Sequence, residues 1–118
     1  MNKEKNIDLE LLYGYAHETK YRQIQGWLRR YIGQILLNVP DQNISEGKGW
    51  IEEAIDADKK NVMMFQLGQD CALYAELFKR KGDQSKAKEN MNKAIDIYKE
   101  CGADGWVEKA ENELTLIS

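Results

Sequence analysis

Proline and histidine are almost absent from this sequence, and their scarcity limits the folds and sites that it can form. Pro40 is the only proline and His17 the only histidine among 118 residues. Because proline interrupts helices, we expect long helices on both sides of Pro40 and a helix end just before it. A lone histidine cannot supply an HExxH zinc motif, and we therefore expect neither a metal site nor a cofactor.

Catalytic motifs built from other residue types are also missing. The sequence has no GxSxG nucleophile motif, and its glycines do not follow the GxxxxGK(S/T) order of a phosphate-binding loop. Acidic neighbours such as Glu52 and Glu53 are common, but in a chain with 31% charged residues we expect them to solvate helix surfaces. The sequence therefore indicates a protein that is not an enzyme.

The two cysteines, Cys71 and Cys101, lie far apart and fit neither a metal-binding nor a redox spacing. We expect reduced structural thiols, with a disulfide as the alternative if adjacent helices bring the two residues together. No apolar run approaches the roughly 20 residues of a membrane span, and residues 1–8 lack the apolar core of a secretion signal. We therefore expect a cytoplasmic protein without a membrane partner.

A basic excess is missing as well, since the net charge is -3. Nonspecific binding to nucleic acid usually requires a basic surface, and the charge argues against such a partner. Base stacking on aromatic residues that alternate with basic ones near the N-terminus remains a minor alternative. The aromatic residues in question are Tyr13, Tyr15, Tyr21, Trp27 and Tyr31.

The residues that are present favour an all-α fold with helices in antiparallel pairs. Apolar residues recur at three- and four-residue steps, and Gly82-Asp83 and Cys101-Gly102 interrupt the pattern. The predicted helices cover residues 7–17, 20–38, 45–58, 61–81, 84–100 and 104–116. The first two could form one continuous helix, because Glu18-Thr19 interrupts helices only weakly.

The clearest helical hairpin spans residues 68–101. Its small and large residues resemble the pattern of the tetratricopeptide repeat (TPR), a helix–turn–helix unit of about 34 residues. The matching positions are Tyr74, Ala75, Phe78, Gly82, Ala87 and Ala94, with Met91 where the family prefers an aromatic residue. Two positions differ, since Cys71 replaces a tryptophan-like residue and Lys99 replaces the proline that closes the repeat.

The resemblance implies a TPR-like superhelix of about two repeats and a capping helix, in a single domain of residues 1–118. A divergent repeat would cover residues 20–58, the clear repeat residues 68–101 and the capping helix residues 104–116, after a flexible N-terminus at residues 1–6. Residues 33–114 are also similar to the C-terminal TPR tail of bacterial multidomain proteins that contain adenylate or guanylate cyclase and ATPase domains. The 118 residues leave no room for those catalytic domains.

In the TPR family the first helix of each pair lines a groove, and the resemblance maps the groove positions onto ten residues here. They are Trp27, Arg30, Gln34, Leu37 and Asn38 in the divergent repeat, and Gln69, Ala72, Glu76, Lys79 and Arg80 in the clear repeat. The alternative for each position is a solvated helix face. The set lacks the asparagine and lysine arrangement with which family members clamp a C-terminal carboxylate.

The expected function is that of a non-catalytic scaffold that binds another protein or peptide in this groove. Self-association is a further expectation, through an N-terminal aromatic stripe of Tyr13, Trp27 and Tyr31. The alternative is a regulatory sensor that binds a small ligand. A buried polar cavity around Arg30, Gln34 and Glu76 would favour the sensor, and an open groove or a two-fold helical interface would favour the scaffold.

Overall fold

The computed structural model describes residues 9–39 and 44–117, and these residues form six α-helices without a strand. The helices are α1 (Leu9–Glu18), α2 (Arg22–Leu37), α3 (Ile44–Lys60), α4 (Met64–Lys81), α5 (Gln84–Glu100) and α6 (Asp104–Thr115). The predicted all-α fold is confirmed. The predicted flexible segment at residues 1–6 and the predicted role of Pro40 lie outside the described residues. None of the six helices is both long and apolar enough to cross a membrane.

The helix boundaries follow local chemistry that the periodicity alone does not reveal. The break at Thr19 separates α1 from α2, and the Thr19 hydroxyl accepts a hydrogen bond from the Tyr21 backbone N–H (3.3 Å). Helix α3 continues two residues beyond its predicted end, and Val62 then adopts a left-handed conformation (φ 55°) that delays the start of α4 to Met64. Such a conformation is strained for a β-branched residue, so the sequence offers no cue for it.

The turn between α4 and α5 agrees with the sequence prediction. Gly82 ends α4 in a left-handed conformation (φ 83°), which glycine adopts without steric cost. Asp83 caps α5, because its carboxylate accepts a hydrogen bond from the Lys86 backbone N–H (3.1 Å).

The helices pack as two antiparallel pairs, α2 with α3 and α4 with α5, and α6 packs against α5. Small residues let the first pair approach closely. A Cβ atom added at Gly33 would lie 3.3 Å from the Gly47 carbonyl oxygen and 2.7 Å from Cγ1 of Ile51. The corresponding positions of the second pair are Ala75 and Ala87, and both are fully buried in the main core.

Helix α1 covers a second, smaller core at one end of the array. This core contains Leu28, Ile32, Leu36, Trp50 and Ala16. Tyr13 stacks on Trp50 (ring centroids 5.0 Å apart), and its hydroxyl donates a hydrogen bond to Oε2 of Glu46 (2.9 Å). The aromatic stripe expected for self-association is therefore divided, because Tyr13 packs within the chain while Trp27 and Tyr31 remain exposed.

Both cysteines are free thiols; Cys71 is buried on α4 as expected of a structural thiol, whereas Cys101 is exposed after α5. Burial raises the pKa of the Cys71 thiol to about 11. Cys71 is therefore a protonated, unreactive core residue at neutral pH.

Candidate binding groove

One open groove of about 260 Å³ runs along the face formed by α2, α4 and α6. These three helices share one direction, since each neighbouring pair is antiparallel. Five of the ten predicted groove residues line it together: Arg30, Gln34, Gln69, Ala72 and Glu76. We refer to this depression as the groove below.

The other five predicted residues lie beside the groove or beyond its end. Leu37 is buried in the core and offers a partner little surface. Arg80 closes the end of α2, because Nη1 donates to the Leu37 carbonyl oxygen (2.7 Å) and Nη2 to Oδ1 of Asn38 (3.3 Å). Lys79 is exposed beside a smaller pocket. Trp27 is exposed on α2, one turn before Arg30, and stacks with Tyr31.

Helix α6 supplies groove residues that the sequence analysis missed. Trp106, Lys109 and Glu113 line the groove, each 37 residues after a predicted position on α4. The sequence pattern predicts only a capping role for α6. In the structure, α6 repeats the groove positions of α4 after the intervening helix α5. Extending the repeat register past Gly102 would have identified all three residues.

An aromatic cluster of Phe65, Tyr98 and Trp106 closes one end of the groove. The three rings lie 5.8 to 6.0 Å apart between centroids. Tyr98 is buried beneath the other two, and a Cβ atom at Gly68 would lie 2.8 Å from its ring. The ammonium group of Lys109 lies 4.9 Å from the centre of the Trp106 ring, a cation–π contact. This end therefore combines a rigid apolar surface with a positive charge.

Arg30 connects the groove to the interior of the protein. Its Nη1 atom donates to Oδ1 of Asp70 (3.0 Å) and to the Gln66 carbonyl oxygen (3.3 Å). Its Nε and Nη2 atoms have no hydrogen-bond partner among the described residues. Nε2 of Gln69 is buried and also lacks a partner there. The groove thus contains N–H donors without acceptors.

A pair of buried carboxyl groups, Asp58 and Asp70, lies behind Arg30. Both side chains are fully buried, and no N–H donor of the described chain reaches either oxygen of Asp58. Burial raises the pKa of Asp58, and burial together with the adjacent Asp58 carboxyl raises the pKa of Asp70 to about 9. Two adjacent buried carboxyls cannot both ionise without strong repulsion, which favours a proton on the pair. The Arg30 guanidinium, whose Nη1 atom contacts Oδ1 of Asp70, places a positive charge beside the pair.

Comparison with protein-family models, with curated proteins and with solved structures gives no match for this chain. The TPR resemblance stays a prediction from the residues quoted above. Corresponding groove positions are 42 residues apart between α2 and α4 and 37 between α4 and α6, against about 34 in the family. Among the described residues, no group of three or more histidine, cysteine, aspartate or glutamate side chains could hold a metal ion.

Proposed function

We propose that this chain is a non-catalytic protein-interaction module of the TPR type that holds a segment of another polypeptide in the groove. The observation that carries the proposal is the convergence of repeated positions from α2, α4 and α6 on one open groove. Helical repeats commonly use such a surface for binding, because each added helix extends it.

The composition of the groove suits a peptide. Phe65 and Trp106 are each 39% exposed, and their rings rest on the buried Tyr98. Rigid, partly exposed aromatic residues provide large contact areas at low entropic cost and dominate binding energy in many interfaces. These two rings therefore supply the anchoring surface for an apolar side chain of the partner.

The N–H donors without acceptors supply the orienting contacts. A buried donor that lacks an acceptor costs about 1–3 kcal/mol, which an incoming carbonyl or carboxylate oxygen would offset. Nε2 of Gln69 is such a donor in the groove, and Arg30 adds N–H groups that have no partner within the described chain. A peptide segment carries a carbonyl oxygen at every residue, and it can pair with them.

The openness of the groove favours the scaffold over the sensor. Small-molecule sites typically enclose 70–90% of the ligand surface, whereas this groove faces solvent along its length. The two free thiols support a reducing compartment such as the cytoplasm for this interaction. Self-association remains part of the proposal only through Trp27 and Tyr31, since Tyr13 is occupied within the chain.

A peptide-display selection followed by affinity measurement tests the proposal. We expect a random library of 12-residue peptides to yield binders that lose most of their affinity for Ala72→Arg, because the new side chain fills the middle of the groove. Lys93→Ala provides the control, since Lys93 lies on α5 outside the groove and is 58% exposed. Failure to enrich any peptide, or equal binding to Ala72→Arg and the parent, would refute the proposal.

A further inference from the structure

Equivalent positions on the three groove-lining helices form three rows across the groove, and each row has its own chemistry. The first row contains Gln69 and Trp106, with Trp27 beside the groove, the second row contains Arg30, Ala72 and Lys109, and the third row contains Gln34, Glu76 and Glu113. Because α2, α4 and α6 share one direction, the three rows follow one another in the same order on each helix along the groove. The chemistry therefore changes along the groove axis from aromatic to basic to acidic.

Contacts between the helices support this shared direction. Arg30 reaches Gln66 and Asp70 on α4, while Arg80 at the other end of α4 reaches Leu37 on α2. The rings of Phe65 and Trp106 meet at the aromatic end. At the opposite end, Glu76 and Glu113 line one smaller pocket together.

The charged side chains of the second and third rows differ in whether they already form an ion pair within the chain. Lys109 and Glu113 are exposed, and neither forms an ion pair within the described chain. Arg30 is balanced by the buried carboxyl pair and contributes mainly N–H donors. Glu76 already pairs with Arg80 (2.9 Å), a contact that is exposed to solvent. The polarity available to a partner therefore lies mainly on α6.

From this arrangement, and resting on the proposed function, we infer that the partner segment presents an apolar, an acidic and a basic side chain in that order along the groove. The apolar side chain packs on Trp106, the acidic one pairs with Lys109 and Arg30, and the basic one pairs with Glu113. Neighbouring rows are three or four residues apart on each helix, or about 4.5 and 6 Å at 1.5 Å per residue. Side chains on one face of an extended peptide repeat every two residues, about 6.6 Å, which is of the same order as the row spacing, so an extended segment can reach all three rows.

Exchanging the two exposed charges of α6 tests the order. The double variant Lys109→Glu with Glu113→Lys keeps the net charge and reverses the polarity of the second and third rows on α6. The matched control exchanges an exposed pair with the same four-residue spacing on α5, as Glu89→Lys with Lys93→Glu. Peptides selected on the parent protein, and their versions with acidic and basic residues exchanged, serve as probes.

We expect parent-selected peptides to show the apolar–acidic–basic order and to bind the α6 variant about tenfold more weakly at low salt. The charge-exchanged peptides should prefer the α6 variant, and the α5 control should bind as the parent does. Selected peptides without this order, or equal affinity for the parent and the α6 variant, would overturn the inference while leaving peptide binding itself intact. If no peptide were selected at all, the proposed function and the inference would both fail.

Discussion

Gly26 on α2 leaves the space that the Asp58 carboxyl of α3 occupies, since a Cβ atom at position 26 would overlap both carboxyl oxygens. The absence of one side chain on α2 thus lets a buried acid approach Asp70 on α4. Three helices from two different pairs meet at this point. The packing of the first pair against the second therefore depends on a glycine and two acids as well as on apolar residues.

We expect Gly26→Ala to lower the free energy of unfolding by about 1–3 kcal/mol, because the methyl group must displace the Asp58 carboxyl. Gly49→Ala is the control. Gly49 lies inside α3 with no atom near the added methyl group, and alanine should stabilise the helix there by about 0.5–1 kcal/mol. Urea unfolding of both variants measures the difference, and equal stabilities would contradict the structure around Asp58.

The carboxyl pair should make the stability of the protein depend on pH. Because the pKa of Asp70 is raised in the folded state, the folded protein binds more protons than the unfolded chain. The resulting stability is complete below the ordinary pKa of an aspartate, about 4, and is lost as the pH rises towards about 9. We expect a decrease of up to about 1.4 kcal/mol per pH unit in this window.

Asp70→Asn should flatten this pH dependence, because its amide can accept from Arg30 and donate to Asp58 as the protonated acid does. Asp96→Asn, at an exposed position on α5, should keep the parental profile. Urea unfolding between pH 5 and pH 9 provides the comparison. A parental stability that does not change over this range would show that the pair holds no proton.

The close packing of α4 and α5 is tested by enlarging a buried small residue. Ala87 is fully buried in the core, and Ala87→Leu should lower the free energy of unfolding by about 1–3 kcal/mol. Phe78→Ala should cost about 3–5 kcal/mol, since Phe78 is buried in the same core. Thermal melts measure both changes, with Lys88→Ala on the exposed face of α5 as the control. An unchanged melting temperature for Ala87→Leu would refute the assignment.

Self-association is expected to depend on the stacked pair Trp27 and Tyr31, whose rings lie 5.6 Å apart and nearly parallel. Light scattering at several concentrations should show a mass above 13.7 kDa that falls after Trp27→Ser with Tyr31→Ser. Tyr13→Phe should leave the mass unchanged, because Tyr13 packs inside the chain. A monomer at every concentration would remove self-association from the proposed function.

The sequence allowed the helical pairs to be predicted because their signals are local. These signals act within one hairpin, and they are Gly82, the capping residue Asp83, Ala75 and Ala87. Local propensity and apolar periodicity are sufficient to predict such features. The predicted groove positions followed from the TPR resemblance, and half of them line one groove.

The buried acids and the bonded role of Arg80 could not be predicted in this way. Asp58 and Asp70 lie in charged, helical stretches where an acid normally faces solvent, and only the meeting of α2, α3 and α4 buries them. Arg80 was expected to line the groove, but the end of α2 provides acceptors that bind it within the chain. Both outcomes depend on contacts between residues that are 40 or more positions apart in the sequence. These contacts join Arg30 to Asp70 and Arg80 to Leu37.

The three tryptophans allow the central claim, peptide binding in the groove, to be tested in one measurement. Trp106 lines the groove, Trp27 flanks it, and Trp50 is buried beneath α1 on another side of the molecule. During titration with a display-selected peptide, the indole N–H signal of Trp106 in a ¹H–¹⁵N spectrum should shift progressively, while that of Trp50 stays in place. A shift of Trp50 alone, or no shift of Trp106 at saturating peptide, would contradict the account.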